Sequence, residues 1–203
     1  MKTGPKYKIC RRVGDRVFGK CQTTKFTISG TEKPRSKKGG RMATEYGGQL
    51  LEKQKARFTY GVTEKQFTRY VRAAQAAHGG VPAERLYAAL ESRLDNVVYR
   101  LGLAPTRQAA RQLVSHGHII VNEERNKIPS YTVRVSDRVA VRLASRDKGV
   151  FTAVPERVKD WSVPEWLVLD TETYAGVIKA LPHQSSTAGT INFSSILEFY
   201  SRV

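Results

Sequence analysis

Between Ser92 and Asn122 the apolar positions change period. Leu94, Val97, Val98 and Leu101 recur at three- and four-residue spacing, the pattern of one buried helical stripe. Gly102 and Pro105 then interrupt it, because glycine closes helices and proline cannot continue them. Thr106 stands at an N-cap position, and a second helix is predicted over Arg107 to His116 with Ala109, Ala110, Leu113 and Val114 turned inward. Gly117 can take the left-handed closing conformation. The β-branched run His118-Ile119-Ile120-Val121 leaves as a strand.

The pattern on either side is weaker. Downstream, short strands are predicted around Lys127-Ile128, over Tyr131–Val135 and over Val139–Leu143, with Ser136-Asp137-Arg138 as a turn and Val139, Val141 and Leu143 on one face. Upstream, Thr44–Arg57 reads as a helix with a dense Lys/Arg/Gln face that ends near Tyr60-Gly61. The next helix starts at Val62 with Thr63 as N-cap and carries Phe67, Tyr70 and Val71, aromatics whose spacing predicts core more than a base-stacking platform. Gly79-Gly80 breaks the chain, and Pro82 opens a helix with Leu86 and Leu90. The tail from Pro155, with Trp161, Trp166, Leu167 and Val168, is composed for packing. Residues 1–42 show little hydrophobic periodicity.

Charge changes this picture from folding unit to binding unit. The chain of 203 residues has net charge +17 and a pI near 10.1, which points to a polyanion. No apolar run approaches the ~20 residues that span a bilayer, and the start MKTGPKYK lacks a signal-peptide core, so a cytosolic protein is expected. The charge is uneven: residues 1–60 hold 16 Lys and Arg against 4 Asp and Glu, whereas residues 151–203 hold 4 against 6. The first part and the central unit are therefore the surfaces expected to face the polyanion. Arg107, Arg111 and Ser115 follow one another at single-turn spacing, and no acidic residue lies between Arg100 and Asn122. Such like charges cost roughly 0.2–0.5 kcal/mol per pair. An isolated helix could simply solvate them; here an external polyanion is the natural partner. The tract Lys33–Arg41 can likewise be a solvated tail or, beside a second basic module, a segment ordered on RNA.

Several chemistries are disfavoured. Gly14–Cys21 nearly spells a P-loop, but Cys21 stands where a hydroxyl must hold magnesium and no buried strand precedes it. Cys10 and Cys21 are the only cysteines and cannot alone close a four-ligand structural zinc site, so a free, reduced pair is expected. His78, His116, His118 and His183 accompany no nucleophile motif, and no dinucleotide fingerprint occurs. No enzymatic activity, cofactor or metal is expected.

The run RLDNVVYRLG, a turn, and TRQAARQLVSHGHIIVN resembles the small RNA-binding domain named after the fourth protein of the small ribosomal subunit. That domain also occurs in some pseudouridine synthases, some tyrosyl-tRNA synthetases and a ribosome-binding heat-shock protein. YGGQLLEKQKARFTYGVTEKQF at 46–67, GPKYKICRR at 4–12 and the closing EFYSR extend the resemblance to the bacterial-type ribosomal family itself. Phe193 and Ser194 depart from its usual ending, and Glu123-Glu124 replace the glycine and basic residue common in its turn. Many members hold zinc through four N-terminal cysteines; Cys10 sits at the second of those positions and Tyr7 at the first, so this chain resembles the zinc-free variety.

The resemblance implies an α+β fold: a mainly helical, discontinuous domain (43–90 plus 156–203) with an inserted small α/β RNA-binding domain (91–155) of two helices packed on a short-stranded sheet, after a basic extension (1–42). It implies a structural role in the small ribosomal subunit, on a cytoplasmic or organellar ribosome. The implied partners are small-subunit (16S) rRNA at a multi-helix junction of the 5′ domain, messenger RNA where it enters the subunit, and the fifth small-subunit protein, with roles in assembly and translational accuracy. No membrane or small-molecule substrate is expected. The alternative is a non-ribosomal RNA-binding factor or an rRNA-modifying enzyme sharing the domain. The residues expected to contact RNA are Lys6, Lys8, Arg11, Arg12, Lys20 and Arg41 near the N-terminus, and Tyr46, Gln49, Lys53, Gln54, Lys55, Arg57, Tyr60 and Arg69 on the following helices. In the inserted domain they are Arg93, Arg100, Arg107, Arg111, Gln112, Ser115, His116 and His118.

Overall fold

The computed structural model describes residues 4–23, 26, 44–159, 161–183 and 191–202. The described elements run α1 (Lys6–Val13), a 3₁₀ turn (Gly19–Cys21), α2 (Glu45–Thr59), α3 (Glu64–Ala76), α4 (Pro82–Glu91), α5 (Leu94–Arg100), α6 (Arg107–Ser115), β1 (Ile119–Val121), β2 (Glu124–Arg125), β3 (Arg138–Val141), α7 (Leu143–Arg146), α8 (Val154–Lys159), β4 (Leu167–Asp170), β5 (Ala175–Ile178) and α9 (Phe193–Ser201). They form two compact units, residues 1–86 with 186–203 and residues 87–185. No helix among the described residues is long and apolar enough to cross a membrane.

The first unit is helical. Thr44 begins α2 by accepting from the Gly47 amide at 3.2 Å, and Asn192 begins α9 by accepting from the Ser195 amide at 3.1 Å, so both ends are capped by side-chain oxygens. Thr63 occupies the corresponding position before α3 with extended backbone and no side-chain capping bond. Helix α9 packs against α2 and α3, burying Phe193, Ile196 and Phe199. Phe193, a departure from the family ending, is thus a core residue. Rings of Tyr46 and Phe199 lie 5.3 Å apart and those of Phe67 and Tyr200 6.2 Å apart, within the range of favourable aromatic pairs.

Polar groups lock the same seam. Glu64 accepts from Lys53 Nζ at 2.9 Å and from the Tyr200 hydroxyl at 2.8 Å, and its second oxygen accepts from Arg57. Burial acts to raise this carboxyl, but the hydrogen bonds from Lys53, Arg57 and Tyr200 outweigh it and hold it down at about 2. The Tyr200 hydroxyl is pushed up to about 12, first by burial and then by the carboxylate it serves.

The N-terminal stretch is not a bare extension. Cys10, Phe18, Cys21 and Phe26 make a small buried cluster with Ile9, Val17 and Phe58 against it, and Asp15 pairs with Lys55 of α2 at 3.1 Å. The expected basic extension over 1–42 is therefore corrected for residues 4–23, while the tract Lys33–Arg41 lies outside the described residues. The sequence shows no period here because the apolar contacts join a short helix to a loop.

In the second unit α5 and α6 pack on an antiparallel sheet of order β2-β1-β3-β5-β4. Leu94, Val97, Val98 and Leu101 are fully buried, with Ala110, Leu113 and Val114 from α6, as their spacing predicts. The strands downstream differ from expectation. Residues 131–135 are not a strand: the Tyr131 carbonyl and that of the preceding Pro129 accept from the Leu94 and Asp95 amides at 2.8 and 3.1 Å, satisfying donors that open the first turn of α5. Only Thr132 forms a bridge, with Arg93. Lys127-Ile128 is not a strand either. Val139 and Val141 are buried, but Leu143 is 71% exposed and begins α7.

Residues 156–183 belong to the second unit, not with the first as the sequence suggests. β5 pairs with β3 through Arg138↔Val177, Val139↔Gly176 and Ala140↔Ala175, and β4 pairs with β5. A strand containing glycine carries a weak sequence signal, yet glycine is needed there: a Cβ on Gly176 would run into the buried Leu101 side chain. The indole of Trp161 closes the other side, donating from Nε1 to the Arg100 carbonyl at 2.9 Å.

Because the Glu64 carboxyl is held below its ordinary value, its contribution to stability is present above about 4.5 and is lost as pH falls toward about 2. Glu64→Gln should lower the urea midpoint at pH 7, and the gap to wild type should narrow as pH falls through that window. A gap independent of pH would refute the assignment.

Candidate nucleic-acid interface

The centre of the expected surface is the α5-turn-α6 pair. Gly102 turns with φ +75° and Gly117 closes α6 with φ +70°. Thr106 Oγ1 accepts from the Ala109 amide at 3.1 Å, starting α6 at the expected residue. At its other end Arg125 donates to the carbonyls of Gly117 and His116, both at 3.0 Å, a cation answering the negative end of the helix dipole.

The arginines on this face are anchored by acids that precede them in sequence. Glu91 is fully buried and accepts two bonds from Arg100, at 2.8 and 2.7 Å, and one from Asn96 Nδ2 at 2.8 Å. Asn96 Oδ1 in turn accepts from Arg107 Nε at 2.7 Å, and the Arg107 guanidinium lies 4.5 Å from the centre of the Tyr99 ring. Asp95, also buried, accepts from Arg93 at 3.2 and 3.0 Å and pairs with Arg111 Nε at 3.2 Å. The expectation that nothing local offsets the like charges of Arg107 and Arg111 is therefore corrected. The compensating acids, Glu91 for Arg107 and Asp95 for Arg111, lie several turns upstream and reach the face through the fold. Four guanidiniums share these two carboxylates, so the six side chains together keep positive charge.

Burial sorts the expected contact residues. Lys8, Arg11, Arg12, Lys20, Tyr46, Arg69, Gln112, Ser115 and His116 are exposed. Lys6, Lys53, Gln54, Arg57, Arg100, Arg107, Arg111 and His118 are half-buried. Gln49, Lys55, Tyr60 and Arg93 are buried, which corrects their assignment as surface contacts. Arg93 holds Asp95, Lys55 pairs with Asp15 and Glu52, and Gln49 Nε2 donates to Glu45 and Glu198 at 3.2 and 3.1 Å. Arg41 lies outside the described residues. Lys53 and Arg57 are engaged by Glu64.

Around His118 the fold gathers cations that local spacing does not reveal. Its Nδ1 lies 3.0 Å from Ser145 Oγ. Burial lowers the imidazole, and the positive charges of Lys148, His116, Arg142 and Arg125 lower it further. Arg125, Arg142 and Lys148 thus join the two histidines in one basic patch. They come from β2, the start of α7 and the loop after it, so no sequence period marks them as a group. In the β1–β2 turn Asn122 and Glu123 both have positive φ, a conformation glycine adopts without cost. Glu123 and Glu124 are exposed there.

A zinc site does not fit the N-terminal unit. The two cysteines are joined to each other as a disulfide, which corrects the expected reduced pair. Tyr7 is stacked on Phe26 at 5.3 Å, and among the described residues no group of three or more His, Cys, Asp or Glu side chains could hold a metal ion.

Residues 92–139, which carry the helix pair α5 and α6 and strands β1 and β2, match the S4 domain family. Residues 1–91 match the ribosomal protein S4/S9 N-terminal domain. The chain is 43% identical over 199 residues to small ribosomal subunit protein uS4 of Syntrophomonas wolfei, covering 95% of both chains. It is 43% identical over 205 residues to that of Acidithiobacillus ferrooxidans and 45% identical over 204 to that of Roseiflexus castenholzii, covering 98% of both chains each time. The chain belongs to the small ribosomal subunit protein uS4 family.

Removing the acid that anchors the face should cost folding. Asp95→Ala withdraws the carboxylate from buried Arg93 and should destabilise the protein by about 3–5 kcal/mol, whereas exposed Glu124→Ala should change stability by less than about 0.5 kcal/mol. Thermal or urea unfolding of the two variants tests this; equal midpoints would refute the anchoring role.

Proposed function

We propose that this chain is a structural constituent of the small ribosomal subunit that binds small-subunit rRNA, through phosphate contacts from the α5–α6 face and from the exposed cations of α1. The observation that carries the reading is the similarity to uS4 relatives over 95–98% of both chains. The finer reading places it at a multi-helix junction in the 5′ domain, early in subunit assembly. There it would lie beside the fifth small-subunit protein and near the point where messenger RNA enters, with an influence on accuracy. The proposed location is the cytoplasmic ribosome.

The physical basis is preorganisation. Phosphate binding by Lys and Arg releases counterions and dominates affinity for nucleic acid. A guanidinium has five N–H donors in a rigid fork, so holding a carboxylate does not by itself exhaust it. Glu91 and Asp95 fix the directions of Arg100, Arg107 and Arg111 before RNA arrives, which cuts the ordering cost at binding. Positions fixed on helices suit recognition of RNA shape rather than base sequence.

Arg107→Ala with Arg111→Ala should weaken binding to a 5′-domain rRNA fragment. It should also reduce the slope of log K against log salt by roughly 0.7–0.9 for each phosphate no longer neutralised. An unchanged slope in a folded variant would remove this face from the interface. Native protein should remain with small subunits sedimented through high salt; complete release would favour a free RNA-binding factor.

A further inference from the structure

The stretch from α1 to Phe26 buries only a small apolar cluster. Helix α1 has eight residues, fewer than an isolated helix needs. Its buried cluster consists of Cys10, Phe18, Cys21 and Phe26, closed by the partly buried Ile9, Val17 and Phe58. Lys6 and Arg11 lie 5.8 Å from the centres of the Phe18 and Phe26 rings, so cations cover part of the apolar surface. The outer surface carries exposed Lys8, Arg11, Arg12, Arg16 and Lys20, like charges that oppose compaction of a small unit. Against that repulsion the region is tied by the Asp15–Lys55 pair, by Phe58 and by a sulfur–sulfur link between residues eleven apart, beside the Tyr7–Phe26 stack.

We propose that Cys10 and Cys21 form a reversible redox link that decides whether the basic surface of α1 is ordered for RNA. The RNA half of this rests on the functional reading above; the link itself does not. The oxidant is a small-molecule disulfide. One cysteine thiolate attacks it, giving a mixed disulfide and one small thiol. The second cysteine thiolate then displaces the other small thiol and closes the ring. The two protein thiols are oxidised, the small disulfide is reduced to two thiols, and the two protein protons pass to the leaving thiolates through solvent. Both cysteines are fully buried, so exchange requires local opening and the closed link is shielded. Cys21 Sγ lies 3.8 Å from the Lys6 carbonyl oxygen. Only the reduced thiol has a proton to donate there.

The test uses the full chain equilibrated with oxidised glutathione or with dithiothreitol. Trypsin should cut after Arg11, Arg12, Arg16 and Lys20 at least about tenfold more slowly in the oxidised protein, and a zinc chelator should change neither rate. Cys10→Ser with Cys21→Ser should be cut at the reduced rate under both conditions. Cys10→Ala with Cys21→Val, which keeps the cluster apolar, should lose the redox response as well. Affinity for the 5′-domain rRNA fragment at fixed salt should fall several-fold on reduction. Two titratable thiols after oxidised glutathione, or equal cleavage in both states, would overturn the link. Different cleavage with unchanged RNA affinity would overturn its coupling to RNA, while the ribosomal reading keeps its own test in the Arg107 and Arg111 variant.

Discussion

Two buried carboxylates, Glu91 and Asp95, organise the second unit and its surface together. A charge taken out of water is costly unless it is paired and fully hydrogen-bonded. Glu91 meets that demand with Arg100 and Asn96, and Asp95 with Arg93 and Arg111. The guanidiniums are thereby held at one edge of α5 and α6. The interaction that makes the acids tolerable inside is the one that aligns the cations outside, so a binding face and a folding requirement share the same atoms.

A comparable arrangement holds the first unit. Glu64 draws Lys53, Arg57 and Tyr200 to one point, which fastens α9 to helices far earlier in the chain. A dense basic helix such as α2 would repel itself if its cations all faced outward. Engaging part of its Lys and Arg in seams converts charge into tertiary structure. Among the described residues of this unit, exposed cations include Lys8, Arg11, Arg12, Arg16 and Lys20 on α1 and the turn that follows it, and Lys65, Arg69 and Arg72 on α3.

The periodic parts of the fold are legible directly from sequence. The stripe from Leu94 to Leu101, the Thr106 cap, the second helix and the strand after Gly117 all lie where local spacing puts them. Strand β5 is not legible, because Gly176 dilutes the strand signal and its presence answers to Leu101, some seventy-five residues away. Leu143 shows the converse. It continues an alternating pattern, yet the chain has already turned into α7 and leaves it exposed. Of the expected contact residues, Arg93 could not be placed by residue type, since an arginine reads as surface until a buried partner is known.

Sequence alone determined the basic character, the two-helix core of the second unit, the capped start of its second helix and the resemblance to a ribosomal family. These rest on composition and on periods of three to four residues, which neighbours along the chain settle. Only the tertiary structure decided which arginines are anchored, that residues 167–178 complete the sheet, and that Cys10 meets Cys21. Each of those depends on a partner brought in by folding. The energy of a buried charge, a strand edge or a sulfur pair is set by what surrounds it, and no local spacing records that.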